Sequence, residues 1–161
     1  MAKLDSVLLT LAAAGAAGML LLPASGTEAL ANELAGAVMF LACGLWLLKA
    51  AVLLRSSGEW KNMLCVACAA AVLLCLSGAG FVKTAADMTQ GSRHTVLYNC
   101  EVQRRMGIKG IFSLRYTLQG EDEAGNRCRL ALSGSHAQAL DGARTVTVEY
   151  YAHTKRVVSF K

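Results

Sequence analysis

Residues 32–54 read NELAGAVMFLACGLWLLKAAVLL. At about 1.5 Å of helical rise per residue this run crosses the roughly 30 Å hydrocarbon layer of a bilayer. Only Glu33 at its start and Lys49 near its end are charged. Two further apolar runs flank it, 6–22 and 62–82, each of spanning length or nearly so. The rest of the chain alternates polar and apolar residues. The expected fold class is therefore a membrane α-helical region of three transmembrane helices followed by a small all-β C-terminal domain. Residues 1–82 form the helical region, 83–92 a polar linker, and 93–161 the β domain.

Charge follows the same division. The chain holds 16 basic and 11 acidic residues, a net charge of +5. Before Lys83 the bases Lys3, Lys49, Arg55 and Lys61 balance the acids Asp5, Glu28, Glu33 and Glu59, so the whole excess lies in the β half. Lys and Arg resist translocation. Placing the N-terminus and the Arg55 loop in the cytoplasm gathers Lys3, Lys49, Arg55 and Lys61 there, which makes the C-terminal domain extracytoplasmic. Ala24, Ser25 and Gly26 after the first run would suit a cleaved signal peptide. That run is longer than a usual signal h-region, so an uncleaved helix is expected. Ala14 and Gly18 form a small-xxx-small pair, and Gly36, Gly44, Ala67, Ala71 and Gly78 continue the small-residue pattern. Such faces admit another helix closely, from this chain, a second copy or a protein partner. No acid, His or Arg lies mid-membrane, which leaves a proton or ion pathway without its usual marker.

Four cysteines fall in the apolar runs. Cys65 and Cys68 form a C-x-x-C, and Cys75 shares their helix face. A membrane thiol-redox protein would use Cys65 and Cys68, but such chemistry wants a thiolate stabilised by a nearby cation, and none is placed by motif. Small packing residues are the simpler reading. No spacing supports a metal site, and no cofactor motif is present.

Four segments beyond the linker alternate with period two. Val96, Tyr98, Cys100 and Val102 are expected to face inward, as are Phe112, Leu114, Tyr116 and Leu118, then Cys128, Leu130 and Leu132, then Val146, Val148 and Tyr150. Residues 157–160 make a last strand. Gly107 and Gly110 interrupt the first pair, and 121–126 forms a polar hairpin loop whose acids, Glu121, Asp122 and Glu123, lack the ligand spacing of a calcium loop. Ser135 is the expected N-cap of a short helix over 135–141, stopped by Gly142. The order β-β-β-α-β-β suggests an OB-like barrel, with an SH3-like barrel or an open antiparallel sheet as alternatives. Cys100 and Cys128 share the inward phase; outside the cytoplasm they could form a disulfide or remain a reduced core pair.

Tyr116 to Gly120, Glu121 to Gly125, the V-x-V-x-Y of Val146 to Tyr150 and the return at Lys155 to Val158 carry a resemblance over about 95–161. In these the chain resembles a family of bacterial membrane proteins of uncharacterised function that join a few transmembrane helices to a small C-terminal β domain. It is also similar in architecture to membrane-tethered OB-fold modules that assist membrane quality control. The resemblance implies no activity.

No nucleophile–base spacing accompanies His94, His136 and His153, so the chain reads as a non-enzymatic binding or docking module rather than an enzyme. Arg115, Arg127 and Arg129 lie on the outward phase of two consecutive strands and could grip an anionic partner, such as lipid headgroups or cell-wall polymer. A structural subunit of a larger membrane complex is the alternative. Nucleic acid fits poorly, because no set of outward aromatics is present for base stacking.

Overall fold

A computed structural model describes residues 2–105 and 115–161. Three long helices come first: α1 (Ala2–Leu21), α2 (Ala29–Ser56) and α3 (Trp60–Gln90). All three are long and apolar enough to cross a membrane. Five strands and a short helix follow: β1 (Ser92–Arg105), β2 (Arg115–Glu121), β3 (Arg127–Leu132), α4 (Gly134–Ala139), β4 (Thr145–Tyr151) and β5 (Val157–Phe160). The expected positions Gly107, Gly110, Phe112 and Leu114 lie outside the described residues.

The chain divides into two compact units, Met1–Met19 with Glu33–Val82, and Leu20–Asn32 with Lys83–Lys161. In the first unit, glycines set the helix contacts. A Cβ on Gly15 would stand 2.7 Å from the Ala35 carbonyl oxygen and 2.8 Å from the Met39 nitrogen, so α1 approaches the α2 backbone as only glycine allows. Gly44 faces Leu74, and Gly80 faces Ala37. Ser77 Oγ donates to the Ala37 carbonyl at 2.9 Å, which satisfies a buried hydroxyl between α2 and α3. Of the small residues expected on helix faces, Gly36 and Gly44 are used within the chain, whereas Ala14, Ala71 and Gly78 are exposed, and nothing stands within 4 Å of a Cβ built on Gly78. Leu9, Val72 and Val82 point outward, which suits a lipid environment.

The second unit departs from the expected boundaries in two places. Residues 83–90, read as linker, are the last turns of α3. This helix has 31 residues, or about 46 Å, more than the hydrocarbon core needs. Polarity ended the apolar run there, but it did not end the helix. Gly91, with φ 74°, does so. The connection between α1 and α2, assigned by hydropathy to the membrane region, belongs to the β unit.

The sheet is antiparallel, in the order β3-β2-β1-β4-β5. β1 serves two neighbours: its first half, Ser92 to Tyr98, pairs with β4, and its second half, to Arg105, pairs with β2. An irregularity between Tyr98 and Glu101 divides the halves, where Asn99 adopts φ 51°. This bulge corrects the expected phase of β1. Leu97 is fully buried and Tyr98 is exposed, and Cys100 and Val102 return to the core side beyond the extra residue. One inserted residue reverses a period-two pattern. The other described strands keep the expected phase. Leu118, Leu130, Leu132, Val146, Val148 and Val157 form the core with Ala137 and Leu140 from the α4 region. A parallel bridge from Ala131 to Arg156 joins β3 to the start of β5. The α4 cap is Ser133 rather than Ser135, because the Ser133 hydroxyl accepts the His136 N–H.

Candidate functional site

The outward face of β1, β2 and β3 carries a cleft of about 280 Å³, lined among others by Asn99, Glu101, Gln119, Glu121, Arg127 and Arg129. Strand register builds it. Arg127 stands opposite Glu121, Arg129 opposite Gln119, and Gln119 opposite Glu101. One wall is held by a chain of side-chain bonds, in which Gln119 Nε2 donates to Gln103 Oε1 at 2.6 Å and Gln103 Nε2 to Glu101 Oε2 at 3.2 Å. Arg127 and Arg129 are exposed on the other wall, and neither forms an ion pair among the described residues. The backbone of Arg115 pairs with Arg105, four residues along β2 from Gln119, a backbone separation of about 13 Å at strand rise.

Gly120 lies on the core side of β2, between β1 and β3. A Cβ there would meet Leu97 Cβ and the Tyr98 carbonyl oxygen at 3.1 Å and Cys100 Sγ at 3.3 Å. Cys128 is directly opposite Gly120 on the other side. Cys100 and Cys128 are both free thiols. With β2 between them, their strands are two spacings apart, about 9–10 Å, beyond ordinary disulfide reach. Cys100 Sγ donates to the Leu97 carbonyl at 3.3 Å. Burial pushes its pKa up, with a smaller opposing effect from a backbone hydrogen bond at Val146, so it is a poor nucleophile. In the helices Cys65, Cys68 and Cys75 are exposed free thiols, and Cys43 is half-buried.

The acids of the β2–β3 loop organise their own turn. Asp122 Oδ1 accepts the Ala124 and Asn126 N–H groups at 3.0 and 2.8 Å. The bonds from Asn126, backbone first and side chain second, hold the Asp122 pKa below its usual range. On the β4 side, hydroxyl bonds from Ser92 and then Ser159 lower that of Glu149, with His94 adding a favourable charge.

A second constellation had no local signal in the sequence. Ser25 is buried; its Oγ accepts the Ser133 N–H at 2.9 Å and bonds His136 Nδ1 at 2.8 Å. His136 also meets Phe160 edge-on, 5.1 Å between centroids. Gly26 N donates to the Val157 carbonyl at 2.8 Å, and Arg156 Nη1 to the Ala24 carbonyl at 2.9 Å. From the end of α3, buried Asp87 accepts the His153 N–H at 2.9 Å through Oδ1 and the Thr154 N–H at 2.7 Å through Oδ2. A buried serine beside a histidine invites comparison with a hydrolytic pair. Here the Oγ is closed off from solvent and already accepts a backbone N–H, so the pair fastens a loop.

No family model matches the chain, and no curated protein or solved structure resembles it at a significant level.

Proposed function

We propose that this protein is a membrane-anchored, non-enzymatic binding module whose β domain docks a partner in the cleft on the β1–β2–β3 face. The observation that carries this reading is the pair of exposed guanidinium groups, Arg127 and Arg129, without ionic partners among the described residues and beside a formed cleft. Such groups take carboxylates or phosphates by charge-assisted hydrogen bonds. Glu101 and Glu121 on the same cleft weaken the case for a dense polyanion. They favour a partner of mixed charge, a protein segment or a wall polymer that carries amines beside its acids. The domain itself we read as an OB-like barrel. The long β1 shared by β2 and β4, the helix between β3 and β4, and the parallel bridge at Ala131 and Arg156 support this over an SH3-like barrel or an open sheet. OB-folds bind on the face of their second and third strands, which is where Arg127 and Arg129 lie. The basic flanks at Lys3, Lys49, Arg55 and Lys61 favour an extracytoplasmic domain.

The structural-subunit reading rests on Ala14, Ala71 and Gly78, which stay exposed, whereas Gly15, Gly44 and Gly80 pack inside the chain. The test uses the full chain in neutral-lipid nanodiscs, with soluble anionic wall polymer and acidic-basic peptides as probes. Arg127→Glu with Arg129→Glu should weaken binding of at least one probe by about tenfold or more. Binding of every probe unchanged by this double reversal defeats the proposal.

A further inference from the structure

We propose that the groove between α1 and α2, at the ends remote from their connection, is a site for a phospholipid whose headgroup is zwitterionic and carries a primary ammonium. The groove measures about 490 Å³ and is lined among others by Asp5, Leu9, Trp46, Lys49 and Leu53. Its polar centre is the ion pair in which Lys49 Nζ donates to Asp5 Oδ1. Both side chains remain partly exposed, 21% for Lys49 and 40% for Asp5. Around them the wall is apolar and open: Leu9 is 72% exposed, Trp46 52% and Leu53 48%. Leu9 follows Asp5 by one helical turn and Trp46 precedes Lys49 by one turn, so both lie on the deeper side of the pair.

The occupant follows from the charges and from the surroundings. Both helices are long and apolar enough to span a bilayer, so lipid is what covers an apolar groove on their outer surface. An indole beside a snorkelling lysine marks the headgroup level. Asp5 engages one of the three ammonium donors of Lys49, which leaves donors for a phosphate. The carboxylate can in turn accept from a cationic headgroup. The pair is neutral as a unit, so a purely anionic headgroup gains attraction from Lys49 and loses it to Asp5. A choline headgroup matches the charges but has no N–H to give Asp5. An ethanolamine headgroup satisfies both: its phosphate meets Lys49, its ammonium meets Asp5, and an acyl chain lies over Leu9 and Trp46.

Native mass spectrometry of the full chain, delipidated in mild detergent and supplied separately with phosphatidylethanolamine, phosphatidylcholine and phosphatidylglycerol, tests this. Wild type should retain the ethanolamine lipid roughly threefold to fivefold more than either competitor. Asp5→Asn should invert the order toward phosphatidylglycerol, and Lys49→Gln should lower retention of all three. The wild-type order decides by itself should a variant fold badly. Retention of phosphatidylcholine equal to phosphatidylethanolamine, or a wild-type preference for phosphatidylglycerol, overturns the proposal. So does an unchanged order in folded Asp5→Asn.

Discussion

Asp87→Ala isolates the bond between the end of α3 and the β4–β5 turn. The native carboxylate is fully buried and accepts two backbone N–H groups, from His153 and Thr154, at 2.9 and 2.7 Å. Alanine leaves both donors without a protein partner. A buried donor left unsatisfied costs about 1–3 kcal/mol, so the pair costs about 2–6 kcal/mol. His153 is exposed and Thr154 half-buried, so water can reach part of the gap and the lower portion, about 2–4 kcal/mol, is expected. Asp87→Asn keeps one acceptor oxygen and turns an amide donor toward the other N–H, for about 1–3 kcal/mol. Hydrogen exchange read by mass spectrometry is the suitable assay, because both tryptophans lie in the helical unit and report little on the turn. At about 1.4 kcal/mol per factor of ten, exchange in a peptide covering the turn should rise about 30- to 1,000-fold in Asp87→Ala and less in Asp87→Asn. A peptide from the β4 core around Val146 and Val148 should change less than the turn does. Turn exchange within about threefold of wild type in Asp87→Ala would refute the claim that this carboxylate holds the turn.

Two further outcomes follow from the β unit. Gly120→Val would push a branched side chain into Leu97, the Tyr98 carbonyl and Cys100; overpacking of this kind costs about 1–3 kcal/mol, read as a lower thermal midpoint by circular dichroism, and an unchanged midpoint would show that β1 gives way freely. Acid should weaken the unit, since Asp122 and Glu149 have folded pKa values below their ordinary ones: their contribution is present above the unfolded carboxylate range near about 4 and is lost as pH falls through the folded values. A pH series of thermal melts checks the sign, and Asp122→Asn with Glu149→Gln should flatten that part of the profile.

The spans and most strands were legible because each depends on local periodicity. Cys128, Leu130 and Leu132 alternate against Arg127 and Arg129, and the structure keeps that phase. β1 was misread at its start because a bulge is a single-residue insertion. Asn99 is the one available cue, since Asn tolerates the left-handed region, but an asparagine in an alternating run is equally an outward polar residue. The end of α3 was misread for a different reason. Lys83, Thr84, Asp87 and Gln90 ended the apolar run, and hydropathy says where lipid stops, not where helix stops. Arg127 and Arg129 could be assigned to one face from phase alone, whereas Arg115 shares the phase and sits far along the strand. Ser25 and His136 are 111 residues apart, and Asp87 and His153 are 66. No local pattern announces such partners. Their common trait, a polar side chain buried beside a span, exists only after folding.

Those long-range bonds also constrain the membrane passage. Two helices, α2 and α3, separate the connection at 22–28 from the β domain along the chain. Gly26 bonds Val157, Ser25 bonds Ser133 and His136, and Arg156 bonds Ala24, so that connection and the β domain must emerge on the same side of the bilayer. This holds when α2 and α3 both cross, or when neither does; a structure in which only one crosses would tear the loop from the domain. Since both helices have spanning length and apolarity, the paired crossing is the consistent solution. Flanking charges play no part in this constraint, which holds whichever side is the cytoplasm. The same bonds bear on Ala24 to Gly26 as a cleavage site. A protease would need this segment extended and exposed, but here Ser25 is buried and the Gly26 N–H is bonded to β5. Once the β domain has folded around it, the segment is a poor substrate, and any cut would have to precede that docking.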